Sequence, residues 1–370
     1  MSEADLPALT RQLLWLAFGL GLAFGAIAQR SHFCAMGAVA DVFNMGDWSR
    51  MRMWLLAVGV AMLGFNAMVA LGWIKAADSI YAGSRLLWLS QGVGGLMFGF
   101  GMVLASGCGS KTLVRLGGGS LKALVVFGTL ALSAWATLRG ATAVLRSNSV
   151  DQVQLTLPAG QDLPSLASLL TGTPGPNALW LGALVGAALI VWALVRREGR
   201  SGEVLLGGLG TGALVVLLWW LSGVHGHLAE HPQTLEPAFL ATNSGRMESF
   251  SFVAPLAYQL EKFVFYSDAS LRLTQGVVMV LGVVLGSAAV ALASGSFRWE
   301  GFGGPEDTAN HLIGAALMGV GGITAGGCTI GQGLSGLSTL ALGSFIATAA
   351  IVAGAVLGLR WQLWRVERQL

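Results

Sequence analysis

Nine apolar stretches, each about the length of a bilayer crossing, dominate the chain: 12–29, 52–74, 87–106, 120–138, 177–195, 203–222, 273–294, 309–326 and 338–359. Roughly 20 apolar residues cross a hydrocarbon core as a helix, and only helices or closed barrels satisfy their backbone polar groups there. The expectation is an all-α polytopic membrane protein. Charge supports it, since 11% of the residues are Asp, Glu, Lys or Arg against about 25% in soluble domains. The net charge of +3 comes from Arg and Lys scattered through short loops, which fits a positive-inside bias and excludes a nucleic-acid surface. "RREGR" at 196–200 and the basic tail "RWQLWRVERQL" read as cytoplasmic. Counting back from them places the N-terminus outside, together with the connections 139–176 and 223–272. The opening "MSEADLPALTRQ" is acidic ahead of the first apolar run, so the spans and not a cleaved leader are expected to insert the chain.

Three short glycine-containing pieces, 33–45, 108–118 and 328–336, follow apolar runs but cannot cross, and each is read as re-entrant. The last lies in "TAGGCTIGQGLSG", where five glycines weaken a helix that a plain span has no reason to weaken. Two segments match without a gap at an offset of 220: "LMFGFGMVLASGCGSKTLV" from Leu96 and "ALMGVGGITAGGCTIGQGL" from Ala316. The match pairs Gly107 with Gly327 and Cys108 with Cys328. On the topology above the two copies run in opposite directions, the arrangement that puts a solute site near the midplane. A weaker match relates "GLAFGAIAQRSHFC" to "GVVLGSAAVALASGSF", leaving Cys34 without a counterpart. The expected organisation is a first membrane half at 1–145, an external connection at 146–176, a hairpin at 177–222, a second connection at 223–272 and a second half at 273–370.

A helix that starts inside the bilayer presents unpaired N–H groups, which favour an anion. Gly109, Ser110, Thr329 and Ile330 would supply those amides, with Thr112 and Gln332 as side-chain donors. Lys111 brings a positive charge into the first copy only, and an intramembrane lysine is a functional candidate by default, although its stem also allows snorkelling to the interface. Cys34, Cys108 and Cys328 either pack as small apolar groups or act as thiols. The repeat-equivalent placement of two of them favours the second reading. A thiol is a soft, weak donor suited to a sulfur or selenium ligand, and three thiols would also suit a soft metal. His225, His227 and His231 in "HGHLAEH" leave a metal site open beside a solvated loop. "SFSFVAPLAYQLEKFVFY" reads as a structural segment on the outer membrane surface. "GCGSKT" lacks the glycine before lysine of a phosphate loop, and "GLGTGA" has no preceding strand.

"RSHFCAMGAVADVFNMGD", "LASGCGSKTLVRLGGGSLKALVVF" and "AGGCTIGQGLSGLSTLALGSF" together resemble the YeeE/YedE sulfur-transport family. The resemblance implies an hourglass of two related halves in the bacterial inner membrane, with broken helices meeting at a constriction. It also implies successive contacts between thiosulfate and Cys34, Cys108 and Cys328, and a cytoplasmic sulfur-carrier protein of the TusA type as partner. No cofactor and no metal is implied. Two rivals stay open: a membrane sulfurtransferase working through a cysteine persulfide, and a permease for soft metals or selenium compounds.

Overall fold

The computed structural model describes residues 5–172, 176–268 and 271–368. Among them the chain forms fourteen α-helices and two small two-stranded pairings. Nine helices have membrane length: α1 (Leu6–Ser31), α3 (Ser49–Ala70), α4 (Trp88–Leu104), α6 (Leu121–Arg139), α9 (Pro176–Val195), α10 (Gly202–Trp220), α12 (Gln275–Ala293), α13 (Pro305–Thr324) and α14 (Leu342–Glu367). They correspond one for one to the nine expected crossings, and the chain is an all-α polytopic membrane protein. Eight crossings are apolar enough to be recognised as spans by hydropathy alone. α13 falls short because its first turns read "PEDTANH", where Pro305, Glu306 and Asp307 suit a helix N-terminus and lower its hydropathy.

Five shorter helices fill the connections: α2 (Ala35–Met45), α5 (Gly109–Gly117), α7 (Ala141–Ser147), α8 (Leu163–Thr171) and α11 (Val253–Val264). β1 (Arg85–Leu86) pairs antiparallel with β2 (Leu155–Thr156), and β3 (His227–Leu228) with β4 (Ala238–Phe239). The connection between α6 and α9 is pinned to the start of α14, because Leu163 N donates to Leu340 O and Leu342 N donates to Gln161 O.

The helices interlock about a pseudo-twofold axis that the glycines make explicit. A Cβ on Gly101 would stand 2.6 Å from Gly314 O, and one on Gly321 would stand 2.6 Å from Gly94 O. Gly94 and Gly314 are 220 apart in sequence, as are Gly101 and Gly321, so α4 and α13 exchange equivalent contacts at their crossing. Gly99 likewise lies on Ile351 of α14 while Gly319 lies on Leu130 of α6. α1 packs most extensively on α12 and α10 on α3. This reciprocity makes α10, not α12, the counterpart of α1. It corrects the weaker repeat match, which followed glycine spacing that several spans share.

The segment expected to lie on the outer membrane surface divides in two. Ser249, Phe250, Phe252 and Val253 are buried. Ser249 Oγ donates to Val215 O, and Ser335 Oγ donates to Phe250 O at 2.8 Å. Phe250 stacks on Phe24 at 5.0 Å, with Phe252 beside both rings. The chain thus dives inward before α11, which packs mainly on α6. Only the far end, Phe263 to Tyr266, stays exposed. Aromatic side chains suit an interface and a core equally well, and the serine hydroxyls that pair with backbone carbonyls made the core possible here.

Candidate functional site: three thiols at helix starts

Each cysteine stands where an extended segment turns into helix. Cys34 is the residue before α2, and its Sγ accepts from Gly37 N at 3.3 Å. Cys328 Sγ accepts from Gly331 N at 3.4 Å, where 331–336 form a wide helical turn. Cys108 precedes α5; its Sγ interacts with the Lys111 amide and lies 3.2 Å from Ser110 Oγ. All three sulfurs therefore meet the amide three residues on, the position that Ser, Thr, Asn or Asp usually fills. The amide ends of these short segments turn their partial positive charge toward sulfur.

The breaks that create these starts are repeat-equivalent. Ser106 and Gly326, 220 residues apart, both have left-handed backbone, with φ of 54° and 71°. Glycine takes this conformation freely, whereas serine is strained there. Arg115 reaches back to donate to Ser106 O at 3.1 Å, closing the first break. Gln332 closes the second: its Nε2 donates to Ala325 O at 2.7 Å, and its Oε1 accepts from Ser344 Oγ at 2.7 Å.

Two of the three thiols meet directly, and the third is coupled to Cys108 through space. Cys34 and Cys108 face each other as hydrogen-bonding partners, and Cys108 also interacts with Thr329 and Cys328. Exposure is 8% for Cys34 and 0% for Cys108 and Cys328, so the passage is shut at this level. Ser110 and Thr329 are buried beside Cys108, and Ile330 lies beneath Cys328. Gly109 lies against Phe252 and Gly107 is covered by the Lys111 stem. Lys111 interacts electrostatically with both Cys34 and Cys108 and shares their side of the constriction with Arg50 and Arg115. Two expected donors are committed elsewhere: Thr112 Oγ1 donates to Cys108 O at 3.1 Å, and Gln332 braces the break as described.

Sequence reasoning missed Phe252, Ser251 and Tyr81. Phe252 precedes α11 as Cys34 precedes α2, and its amide interacts with Cys328. Ser251 Oγ and Tyr81 Oη crowd Gly331, where a Cβ would stand 2.8 and 3.1 Å from them. The signal was present in "ESFSFVAPLA", which follows "RSHFCAMGAV" at an offset of 218 and shares its Ser249/Ser31 and Ala257/Val39 positions on the buried side. Phenylalanine opposite cysteine hid it.

Above Cys328 a cavity of about 230 Å³ reaches Gly326 and Gly327, with Ser251, Glu248 and Tyr258 in its wall. Ile80 lines both it and a neighbouring cavity of about 500 Å³ edged by Arg85, Arg146 and Arg246. Arg146 is paired with Asp151 at 2.7 Å. The histidines stand apart from all of this: His225 stacks on Trp220, His227 contacts Phe239, and His231 Nδ1 accepts from Gln233 N. Among the described residues no three His, Cys, Asp or Glu side chains are grouped to hold a metal.

Opposed broken helices, buried thiols at their starts and a cavity leading to them with Ser251, Glu248 and Tyr258 in its wall define a multi-pass membrane protein with a solute passage. The model of the Sulphur transport family matches residues 30–357, and the chain belongs to that family. It is similar to "Thiosulfate transporter TsuA" of Spirochaeta thermophila, with 27% identity over 92% of this chain and 97% of the relative. The Escherichia coli protein of the same name is 27% identical over 85% of this chain and 84% of its own. "Probable transporter YedE" of Escherichia coli is 29% identical over 30% of this chain.

Proposed function

We propose that the protein carries thiosulfate inward across the bacterial cytoplasmic membrane, with its N-terminus outside and its C-terminus in the cytoplasm. The observation that carries this reading is the pairing of Cys34 with Cys108, with Cys328 of the equivalent break electrostatically coupled to Cys108, all closed to solvent between an outer cavity and a basic inner side. Arg85 and Arg246 at the outer cavity, which form no ion pair among the described residues, would gather the dianion, and the 230 Å³ cavity would lead it to Cys328. From there it would pass Cys108 and Cys34 by weak S–H contacts and helix-start amides, meeting Lys111 and Arg50 on the far side. Weak contacts at several sites admit an ion without trapping it. Gly107, Gly109, Ser110, Gly327, Thr329 and Ile330 would shape this path. Thr112 and Gln332 would hold its walls.

Moving two negative charges against an inside-negative potential costs about 4.6 kcal/mol per 100 mV, twice the single-charge figure. Removal of the ion by a cytoplasmic sulfur-carrier protein of the TusA type would offset that cost. The test is thiosulfate uptake by cells lacking their own sulfate and thiosulfate importers. Wild type should support uptake, and Cys108→Ala should abolish it while inserting normally in the membrane. Uptake that survives in Cys34→Ala, Cys108→Ala and Cys328→Ala alike would overturn the proposal.

A further inference from the structure

The cavity of about 230 Å³ on the approach to Cys328 is walled by uncharged side chains with one exception. α12 lends it Gln275 and Met279, and α13 lends it Gly322 and Ile323. Among the described residues Glu248 is the one acidic or basic residue in that wall. It is half-buried, and its backbone is held on both sides: its N–H donates to Ser222 Oγ at 3.0 Å, and its carbonyl accepts from Gln275 Nε2 at 3.4 Å. The carboxyl accepts from Ser244 N at 2.9 Å and also meets the Ser244 hydroxyl and the Asn243 amide. Ser244 and Asn243, which the carboxyl touches, and Tyr258, which feels its charge, all line the same cavity, so the charge sits at this wall.

No Arg, Lys or His among the described residues offsets that charge. The titratable groups that feel it are two phenols, Tyr258 of α11 and Tyr81, and Tyr81 is also coupled to Cys328. Arg139 and Glu261, which act on Tyr258, are paired with each other at 3.0 Å. An ionised carboxylate here opposes a dianion, because like charges a few ångströms apart repel strongly where water is scarce. A proton on Glu248 removes the repulsion. Burial already pushes the carboxyl above its ordinary 4.5, against the pull of the Ser244 and Asn243 donors. A metal cation is a poorer answer. The groups on the carboxylate are N–H and O–H donors, whereas a hard cation needs several oxygen acceptors.

We propose that Glu248 is a proton-binding site linked to occupancy of this cavity, so that thiosulfate is admitted to Cys328 together with one proton. The inference rests on the transport reading above. The proton comes from the outer solution, adds to a carboxylate oxygen of Glu248 as the dianion enters, and returns to that solution once the ion has moved past Cys328. No bond within the ion is made or broken. The linkage is reciprocal: the neutral carboxyl favours the ion, and the ion favours the proton by the same factor. Glu248 is neutral below its folded value and admits the ion there. As pH rises through that value the carboxylate forms and apparent affinity falls, by up to about tenfold per pH unit for one linked proton.

The test is thiosulfate uptake into proteoliposomes holding the purified full-length protein, with equal pH inside and outside, over a series from about pH 5 to 8. Thiosulfate keeps both charges across this range, so a change belongs to the protein. The wild-type half-saturation concentration should rise with pH, steepening toward about tenfold per unit. Glu248→Gln mimics the protonated acid and keeps an oxygen acceptor for Ser244 N, so its half-saturation should stay near the low-pH wild-type value throughout. Glu248→Asp keeps the acid and should keep the rise. In weakly buffered detergent solution with a pH-indicator dye, adding sodium thiosulfate should draw protons onto wild type and not onto Glu248→Gln. A flat wild-type series, or a rise that persists in Glu248→Gln, would overturn the inference. So would a requirement for sodium ions in place of low pH, which would make the carboxyl a cation site. The wild-type dye signal stands without any variant, and no proton uptake on thiosulfate addition would overturn the inference as well. Absence of thiosulfate uptake by wild type at every pH would instead overturn the transport reading.

Discussion

Gly101→Ala tests the architecture at the crossing that sets the two breaks against each other. The new Cβ would stand 2.6 Å from Gly314 O, 2.8 Å from Leu317 Cβ and 3.0 Å from Met318 N. Two of these are backbone atoms of α13 and cannot swing aside, so the helices must separate. Overpacking of this kind costs about 1–3 kcal/mol. Alanine also gains roughly 0.5–1 kcal/mol over glycine within a helix, and a control must remove that gain. Gly92→Ala does so, because Gly92 lies on the same helix with nothing within 4 Å of its Cβ position. The difference between the two variants isolates the crossing at about 1–3 kcal/mol. Thermal unfolding of detergent-solubilised protein, followed by tryptophan fluorescence, should place the Gly101→Ala midpoint at least about 2 °C below that of Gly92→Ala. Because α4 leads to Cys108 and α13 to Cys328, Gly101→Ala should also slow uptake and Gly92→Ala should not. Equal midpoints and equal uptake would refute the claim that close backbone approach positions the thiols.

Gly326→Ala forces a side chain into a φ of 71° and should cost about 1–2 kcal/mol in the same unfolding assay, whereas Ser106→Gly at φ 54° should be tolerated or mildly stabilising. Gln332→Leu leaves Ala325 O and Ser344 Oγ buried without partners and should cost roughly 1–3 kcal/mol for each, lowering the unfolding midpoint and loosening the second break. Burial pushes the Glu248 carboxyl above its ordinary 4.5, so the folded protein holds this proton where the unfolded chain has released it. Its contribution is therefore full below pH 4.5 and is lost as pH rises through the folded value. Glu248→Gln should flatten that decline in a pH series of unfolding midpoints. Arg85→Ala should raise the half-saturation concentration for thiosulfate several-fold at low ionic strength, with the effect fading as salt screens the outer cavity.

The spans and both main breaks were legible because they rest on local signals: apolar length, and a gap-free repeat around Cys108 and Cys328. The fate of Gln332 was not. As a polar side chain after a broken helix it reads as a ligand donor, and only the approach of Ser344 and Ala325 commits it to the wall. Phe250 and Phe252 were assigned to the membrane surface because aromatic hydropathy does not distinguish an interfacial ring from one stacked on Phe24. The role of the cysteines as helix starts was half visible: the glycine break was plain, while the sulfur-to-amide contact three residues on belongs to the folded backbone.

The central claim is that the ion passes the three thiols whole, held by weak contacts and not by a covalent bond. Proteoliposomes given thiosulfate with distinct isotopic labels on its two sulfur atoms test this directly. Passage of the intact ion predicts that both labels reach the lumen in equal amounts and that no label remains on Cys34, Cys108 or Cys328 after denaturation. Arrival of the terminal sulfur alone, with the sulfonate sulfur left outside as sulfite and label bound to a cysteine, would contradict it.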